Sequence, residues 1–280
     1  MGKRGLRASA LALLCAAVGS ATALGAGPDP GVAQGGTGLT LGKVLYVAIP
    51  ADGATVVQRI DRSSGRVLRK VTVPGSFGFP RVAYDGTIEG LTADGRTLVL
   101  GQTRNAQFRK SSSFAVIDIP TLRLRNVVKL RGDFSFDALA PRGQTLFMIE
   151  HVSAQDALRY RVRAYDLAAG RLLKKMVTDK RRWQSVMQGI PLARAHSTDK
   201  RWAFTLYGGG SSLFVHSLDT RKAYAVCIDL PQRLARLDMG KVRMKMQGEG
   251  RLVIRYGPVG KTLAVLDTIN FRVLSAVRNP

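Results

Sequence analysis

The stretch FAVIDIPTLRLRNVV, residues 114–128, is an apolar alternating run that closes on Asp118, turns within a few residues, and resumes as a second alternating run opening on a basic residue. The same pattern returns in VVQRIDRSSGRVLRKV (56–71), VRAYDLAAGRLLKKM (162–176), FVHSLDTRKAYAVC (214–227) and LAVLDTINFRVLSAV (263–277). The closing residues Asp61, Asp118, Asp166, Asp219 and Asp267 stand 48 to 57 residues apart. A pattern recurring at that period is a structural repeat.

Upstream of most closing Asp residues lies a second shared element: GLTADGRTLVLG, ALAPRGQTLFMI, AHSTDKRWAFTL and, more weakly, MQGEGRLVIRYG. Each reads as strand, tight turn, strand, with Asp94-Gly95 the clearest hairpin signal. Every unit therefore holds four short strands, placed in the second unit at about 87–92, 96–101, 113–118 and 123–130. One four-stranded sheet cannot bury both of its faces, and radial stacking of such sheets does so. The fold class is all-β, a β-propeller. Five closing Asp residues suggest five blades; a six-bladed ring with a degenerate unit near 74–90 or 178–192, and an open arc, also fit the spacing.

VLYVAIPADGATVVQRIDRSSGRVLRKVTVPG resembles the YVTN-type and WD40-like repeats of secreted bacterial propellers, and RAYDLAAGRLLKK is similar to quinoprotein-type repeats. The resemblance covers most of 42–278 and lies in structural positions. It implies a fold and no particular activity.

The chain begins with Lys3, Arg4 and Arg7, an apolar run from Ala8 to Val18, and Ala21-Thr22-Ala23, the layout of a secretory signal peptide over 1–23. The apolar run is shorter than the roughly 20 residues that span a bilayer, so no transmembrane span is expected after cleavage. Cys15 follows two leucines, which argues against lipidation. Cleavage leaves Cys227 as the one cysteine, so folding proceeds without an intramolecular disulfide. Residues 24–42, rich in Gly and Pro, read as a flexible linker, with the propeller over 43–280. The expected setting is secreted or extracytoplasmic, and the expected state a monomer.

The recurrent Asp fits an Asx-type turn, with its side chain bonding the following backbone. Superposing the hairpins places Glu89, Asp137, Arg194 and Arg243 in one column at the start of the innermost strand, at one mouth of the channel, with His196 two residues beyond Arg194. These five are the candidate ligand-binding residues. Glu150 and His151 are adjacent on a strand and point to opposite faces, no metal-ligand spacing is present, and no cofactor is expected. A lactonase-like or quinone-dependent enzyme built on Glu89, Asp137 and His196 is the alternative; the repeats lack the Trp and the vicinal cysteines that quinoprotein resemblance calls for.

The chain carries 43 Lys and Arg against 19 Asp and Glu, a formal charge of +24. Basic residues cluster in RLRNVVKLR (123–131), RYRVR (159–163), RLLKKMVTDKRRW (171–183) and RLARLDMGKVRMK (233–245). Such a surface attracts polyanions, and outside a cell these are anionic envelope polymers. Aromatic residues are not interleaved with the basic runs, which argues against reading of single-stranded nucleic acid. The expected function is a binding module for an anionic envelope polymer or a protein partner.

Overall fold

A computed structural model describes residues 29–105, 107–179, 186–209, 212–236, 238–257 and 260–278. The signal peptide expected over 1–23 lies outside them. Five antiparallel sheets follow one another along the chain. The first holds Gly38–Leu41, Val44–Ala51, Ala54–Asp61 and Val67–Pro74. Phe77–Pro80, Thr97–Gln102, Ser111–Asp118 and Arg123–Arg131 form the second, and Val32–Ala33 adds an innermost strand to it. The third holds Asp133–Leu139, Thr145–His151, Arg159–Asp166 and Arg171–Leu172, with Met187–Gln188 on the same edge. Ile190–His196, Trp202–Gly208, Phe214–Asp219 and Tyr224–Asp229 make the fourth; Val242–Met246, Arg251–Tyr256, Thr262–Asp267 and Arg272–Ala276 make the fifth.

Period-2 alternation sends neighbouring side chains of one strand into different interfaces. Leu98 and Leu100 join Tyr46, Val57 and Phe79 between sheets 1 and 2, whereas Val99 joins Phe134 and Met148 between sheets 2 and 3. Phe147 packs with Tyr207 and Phe214 between sheets 3 and 4. Phe204, Leu206, Leu252 and Ile254 fill the interface of sheets 4 and 5. Each buried side chain of this size contributes about 1.5–3 kcal/mol, and the sheets stack as propeller blades because both faces need a neighbour. The stretches 74–90 and 178–192 supply strands to blades 2, 3 and 4, so the architecture has five blades among the described residues.

Apart from Val32–Ala33, which joins blade 2 from ahead of blade 1, each blade is cut from consecutive chain, and no sheet of the described residues mixes strands from the first and last blades. Among the described residues no core cluster joins blade 5 to blade 1. Val47 and Val253 are nonetheless buried on the faces of these blades turned away from their clusters.

Two expectations are corrected. Residues 24–42 are not all linker: Val32–Ala33 pairs with Phe77–Pro80, and Gly38–Leu41 pairs with Val44–Ala51. The glycine content reflects close packing here, since a Cβ on Gly38 would lie 1.8 Å from the Tyr46 carbonyl oxygen. The blade 2 strand that pairs with Thr97–Gln102, inside which Val32–Ala33 is added, is Phe77–Pro80 rather than 87–92, which makes only the isolated bridges Arg81↔Ile88 and Leu91↔Leu98. Pro80 and the positive φ of Gly86 and Gly90 interrupt the extended run.

The recurrent Asp residues do cap their turns. Oδ1 of Asp61, Asp166, Asp219 and Asp267 each accepts two successive backbone N–H bonds at 2.8–3.0 Å. Asp118 accepts the N–H and the hydroxyl of Thr121 at 3.0 and 2.5 Å. Replacing Asp118 with Ala is expected to cost about 1 kcal/mol and lower Tm by about 2–4 °C, measured by thermal unfolding. Altered binding at unchanged stability would contradict this structural role.

Candidate ligand site at the channel mouth

The hairpin bonds Thr92 N to Thr97 O, Ala140 N to Thr145 O and Ser197 N to Trp202 O set Leu91, Leu139 and His196 at equivalent positions. Two residues earlier stand Glu89, Asp137 and Arg194, and they meet. Arg194 Nε donates to Glu89 Oε1 at 2.9 Å, Nη1 to Asp137 Oδ1 at 2.9 Å and Nη2 to the Asp137 carbonyl at 2.7 Å; Thr205 Oγ1 accepts a further bond. The Arg194 side chain is 1% exposed. Removing one member of such a buried set costs about 3–5 kcal/mol, because the partner charge is left unpaired.

A detour of the chain makes the meeting possible. Gly75 and Gly132 occupy matching positions: in each a Cβ would meet the ring of the Phe two residues on at 3.0 Å. From the matched Phe79 and Phe136 onward, blade 3 runs directly to Leu139, while blade 2 inserts an excursion over about 81–89 before reaching Leu91. That excursion crosses to blade 4. Tyr84 N donates to Pro191 O at 2.9 Å, and Asp85 Oδ2 accepts Arg194 N at 3.0 Å.

Burial alone would raise the Glu89 carboxyl, but Arg194 and His196 beside it outweigh burial and hold it at about 2. The same carboxylates outweigh the burial of Arg194 and raise its guanidinium above the usual range. His196 Nε2 lies 2.6 Å from Glu89 Oε1. These two line a cleft of about 480 Å³ with Leu39, Leu91, Leu139 and Lys200. Asp137 and Arg194 are sealed behind it, at 3% and 4% exposure.

Arg243 does not join the group. Its Nη1 donates to the carbonyls of Gly240 and Val242. The blade 5 hairpin, closed by Gln247 N to Arg251 O, is one residue shorter than that of blade 4, so Met244 takes the position of Arg194 and Arg243 points to the other face. The convergence of Glu89, Asp137 and His196 is real, but it centres on a guanidinium. A metal cation brought to that centre would meet a fixed positive charge, and among the described residues no group of three His, Cys, Asp or Glu side chains, this one included, is placed to hold one.

A second polar cluster was not legible in the sequence. It sits at the other end of the blade 3 inner strand. Asp133 pairs with Arg109 Nε at 2.9 Å and Arg104 Nη2 at 3.1 Å, and Arg104 Nη1 reaches Asp29 at 2.9 Å. Ser135 Oγ donates to Asp29 Oδ2 at 2.5 Å and lies 2.8 Å from His151 Nε2. The Ser135 hydroxyl proton is directed to Asp29 and not to His151, so the pair is not arranged as a serine activated by a histidine base. Burial opposes charge on Asp29, yet Arg104 and Ser135 keep its pKa below the ordinary value. Glu150 turns away to Arg163 at 2.7 Å, as strand alternation requires.

No protein-family model matches the chain, and no curated protein does. Among solved structures the Dos1 propeller superposes with a TM-score of 0.50 at 13% identity, over 85% of this chain and 56% of that one. Kuenenia stuttgartiensis hydrazine synthase gives 0.47 at 16% identity over 81% and 62%, and TolB from Acinetobacter baumannii gives 0.41 at 14% over 81% and 49%. The chain thus spans between about half and three fifths of the length of these structures. The likeness to the Dos1 propeller concerns fold alone, and it agrees with the stacking of sheets: the chain is an all-β propeller, with five blades among the described residues.

The buried imidazoles set a pH dependence. Burial, the dominant cause, outweighs nearby Asp137 and pulls His216 down to about 4; burial likewise lowers His151. Both are neutral in the fold, so their contribution is complete above the ordinary histidine value of 6.5 and is lost as pH falls from 6.5 toward 4. His216→Leu is expected to remove on the order of 3 kcal/mol of that acid sensitivity, read from urea unfolding at a series of pH values. An unchanged slope would show that His216 is not held neutral.

Proposed function

We propose that this propeller is an extracytoplasmic, monomeric binding module that attaches through its outer basic strands to an anionic polymer of the cell envelope, leaving the Glu89–His196 cleft as a small-ligand site at the channel mouth. The observation that carries this reading is the exposed row of bases on the outer strands of blades 1 and 2. Arg69 and Lys70, with Arg123, Arg125, Lys129 and Arg131, all reach solvent. Asp118 reaches Arg125 at 3.6 Å, a half-exposed pair that offsets little of this field.

The acids are largely used elsewhere. They cap turns, as Asp61, Asp166 and Asp267 do, or sit in buried pairs, as Glu89, Asp133 and Asp137 do. The bases of the outer strands of blades 1 and 2 are therefore presented outward with little local neutralisation, which supports steering toward a polyanion. No helix among the described residues is long and apolar enough to cross a membrane, and the expected 1–23 leader is the reason for placing the polymer outside the cytoplasm.

Binding to dextran sulfate and to isolated envelope is expected to weaken by at least roughly a hundredfold between about 0.05 M and 0.2 M salt. Reversing Arg123, Arg125, Lys129 and Arg131 together to Glu is expected to weaken low-salt binding at least about tenfold and to flatten the salt dependence. Salt-independent binding, or binding untouched by the four reversals, overturns the proposal.

A further inference from the structure

A cleft of about 690 Å³ opens between blades 4 and 5, on the far side of the Ser197–Lys200 turn from the channel mouth. Its lining combines aromatic rings with carboxylates. Trp202, Tyr224, Phe271 and Met246 supply an aromatic and thioether wall, and Asp199 and Glu249 supply carboxylates. We propose that this cleft binds a small organic cation, an ammonium carried on an aromatic or branched apolar body.

The apolar half is held in place by ring contacts. Tyr224 meets Trp202 edge-on at 5.7 Å and 87°, and Phe271 lies 5.1 Å from the Trp202 ring. Trp202 also stacks on Phe204, whose side chain is buried in the core of blades 4 and 5. The wall therefore keeps its shape without a ligand, which lowers the ordering cost of binding.

The charged half selects the sign of the ligand. Glu249 is exposed and forms no ion pair among the described residues. Asp199 Oδ1 is bonded by Ser197 Oγ and Arg201 N, and Oδ2 faces Arg221 at 3.3 Å. Arg201, fixed by Asp219 at 2.6 Å, lies 5.5 Å over the Trp202 ring. That guanidinium takes the cation position above the indole, so an incoming ammonium settles toward Glu249 while its apolar body packs on Phe271, Met246 and Trp202. An anion gains nothing from Glu249, and a neutral molecule gains only the apolar contact.

The occupant is opposite in charge to the polymer of the preceding proposal, so the two succeed or fail separately. Three probes with one body test it: 2-phenylethylammonium, 2-phenylethanol and phenylacetate, titrated into the purified chain and followed by tryptophan fluorescence and by ligand-observed NMR. Saturable binding of the ammonium, at least about fivefold tighter than the alcohol, is expected, with Glu249→Gln removing that advantage. Ile269→Lys, at a rim position 72% exposed, is expected to abolish ammonium binding while leaving the melting temperature unchanged. Equal affinity for the alcohol or the carboxylate, absence of saturable ammonium binding, or binding indifferent to Glu249→Gln overturns the proposal.

Discussion

The guanidinium of Arg194 ties three blades together from inside the channel. It belongs to blade 4, bonds Asp137 of blade 3, and bonds Glu89 at the end of the blade 2 excursion. Desolvating three charges is costly, and the arrangement is favourable only because the guanidinium donors are matched by acceptors at 2.7–2.9 Å. The blade 2 excursion has its purpose here: it carries Asp85 and Glu89 across to a blade that does not neighbour blade 2 in the stack. Propellers whose end blades interleave strands are closed by backbone pairing, and among the described residues no strand pairing joins blade 5 to blade 1. Cross-channel ties take over part of that duty. The N-terminal segment adds to it, with Asp29 bonded in blade 3, Val32–Ala33 paired in blade 2 and Gly35 bonded to Ala48 of blade 1.

This internal use of carboxylates shapes the outside of the molecule. With 19 acids against 43 bases, each acid committed to a turn or a buried pair leaves more of the surface positive. Ligands divide by charge under the two proposals: anionic chains at the outer bases, and a small cation at Glu249 beside the apolar wall between blades 4 and 5. At the channel mouth both signs of charge meet, since Glu89 and Asp199 line the cleft together with Lys200.

The repeat was readable because turn chemistry is local. An Asp that bonds the next two or three backbone amides imposes the same few residues on every blade, and alternation between two buried interfaces imposes the same apolar rhythm. The column of Glu89, Asp137 and Arg194 was readable for a related reason: equal hairpin lengths preserve register. Arg243 misled because its hairpin is one residue shorter, and one residue changes the face of a strand. Gly38 misled because composition does not separate a glycine needed for flexibility from one needed for close approach. The cluster of Asp29, Arg104, Ser135 and His151 had no local signal at all, for its members are brought together across as many as 106 residues by the ring itself.

A double-mutant cycle tests the tie most directly. Glu89→Gln, Arg194→Met and the double variant would be compared with the unaltered chain by urea unfolding at neutral pH. The account predicts that the two losses are strongly non-additive, with a coupling energy of at least about 2 kcal/mol, because removing either partner strands the other. A coupling below about 0.5 kcal/mol would contradict it and reduce the cross-channel pair to a crossing of independent side chains.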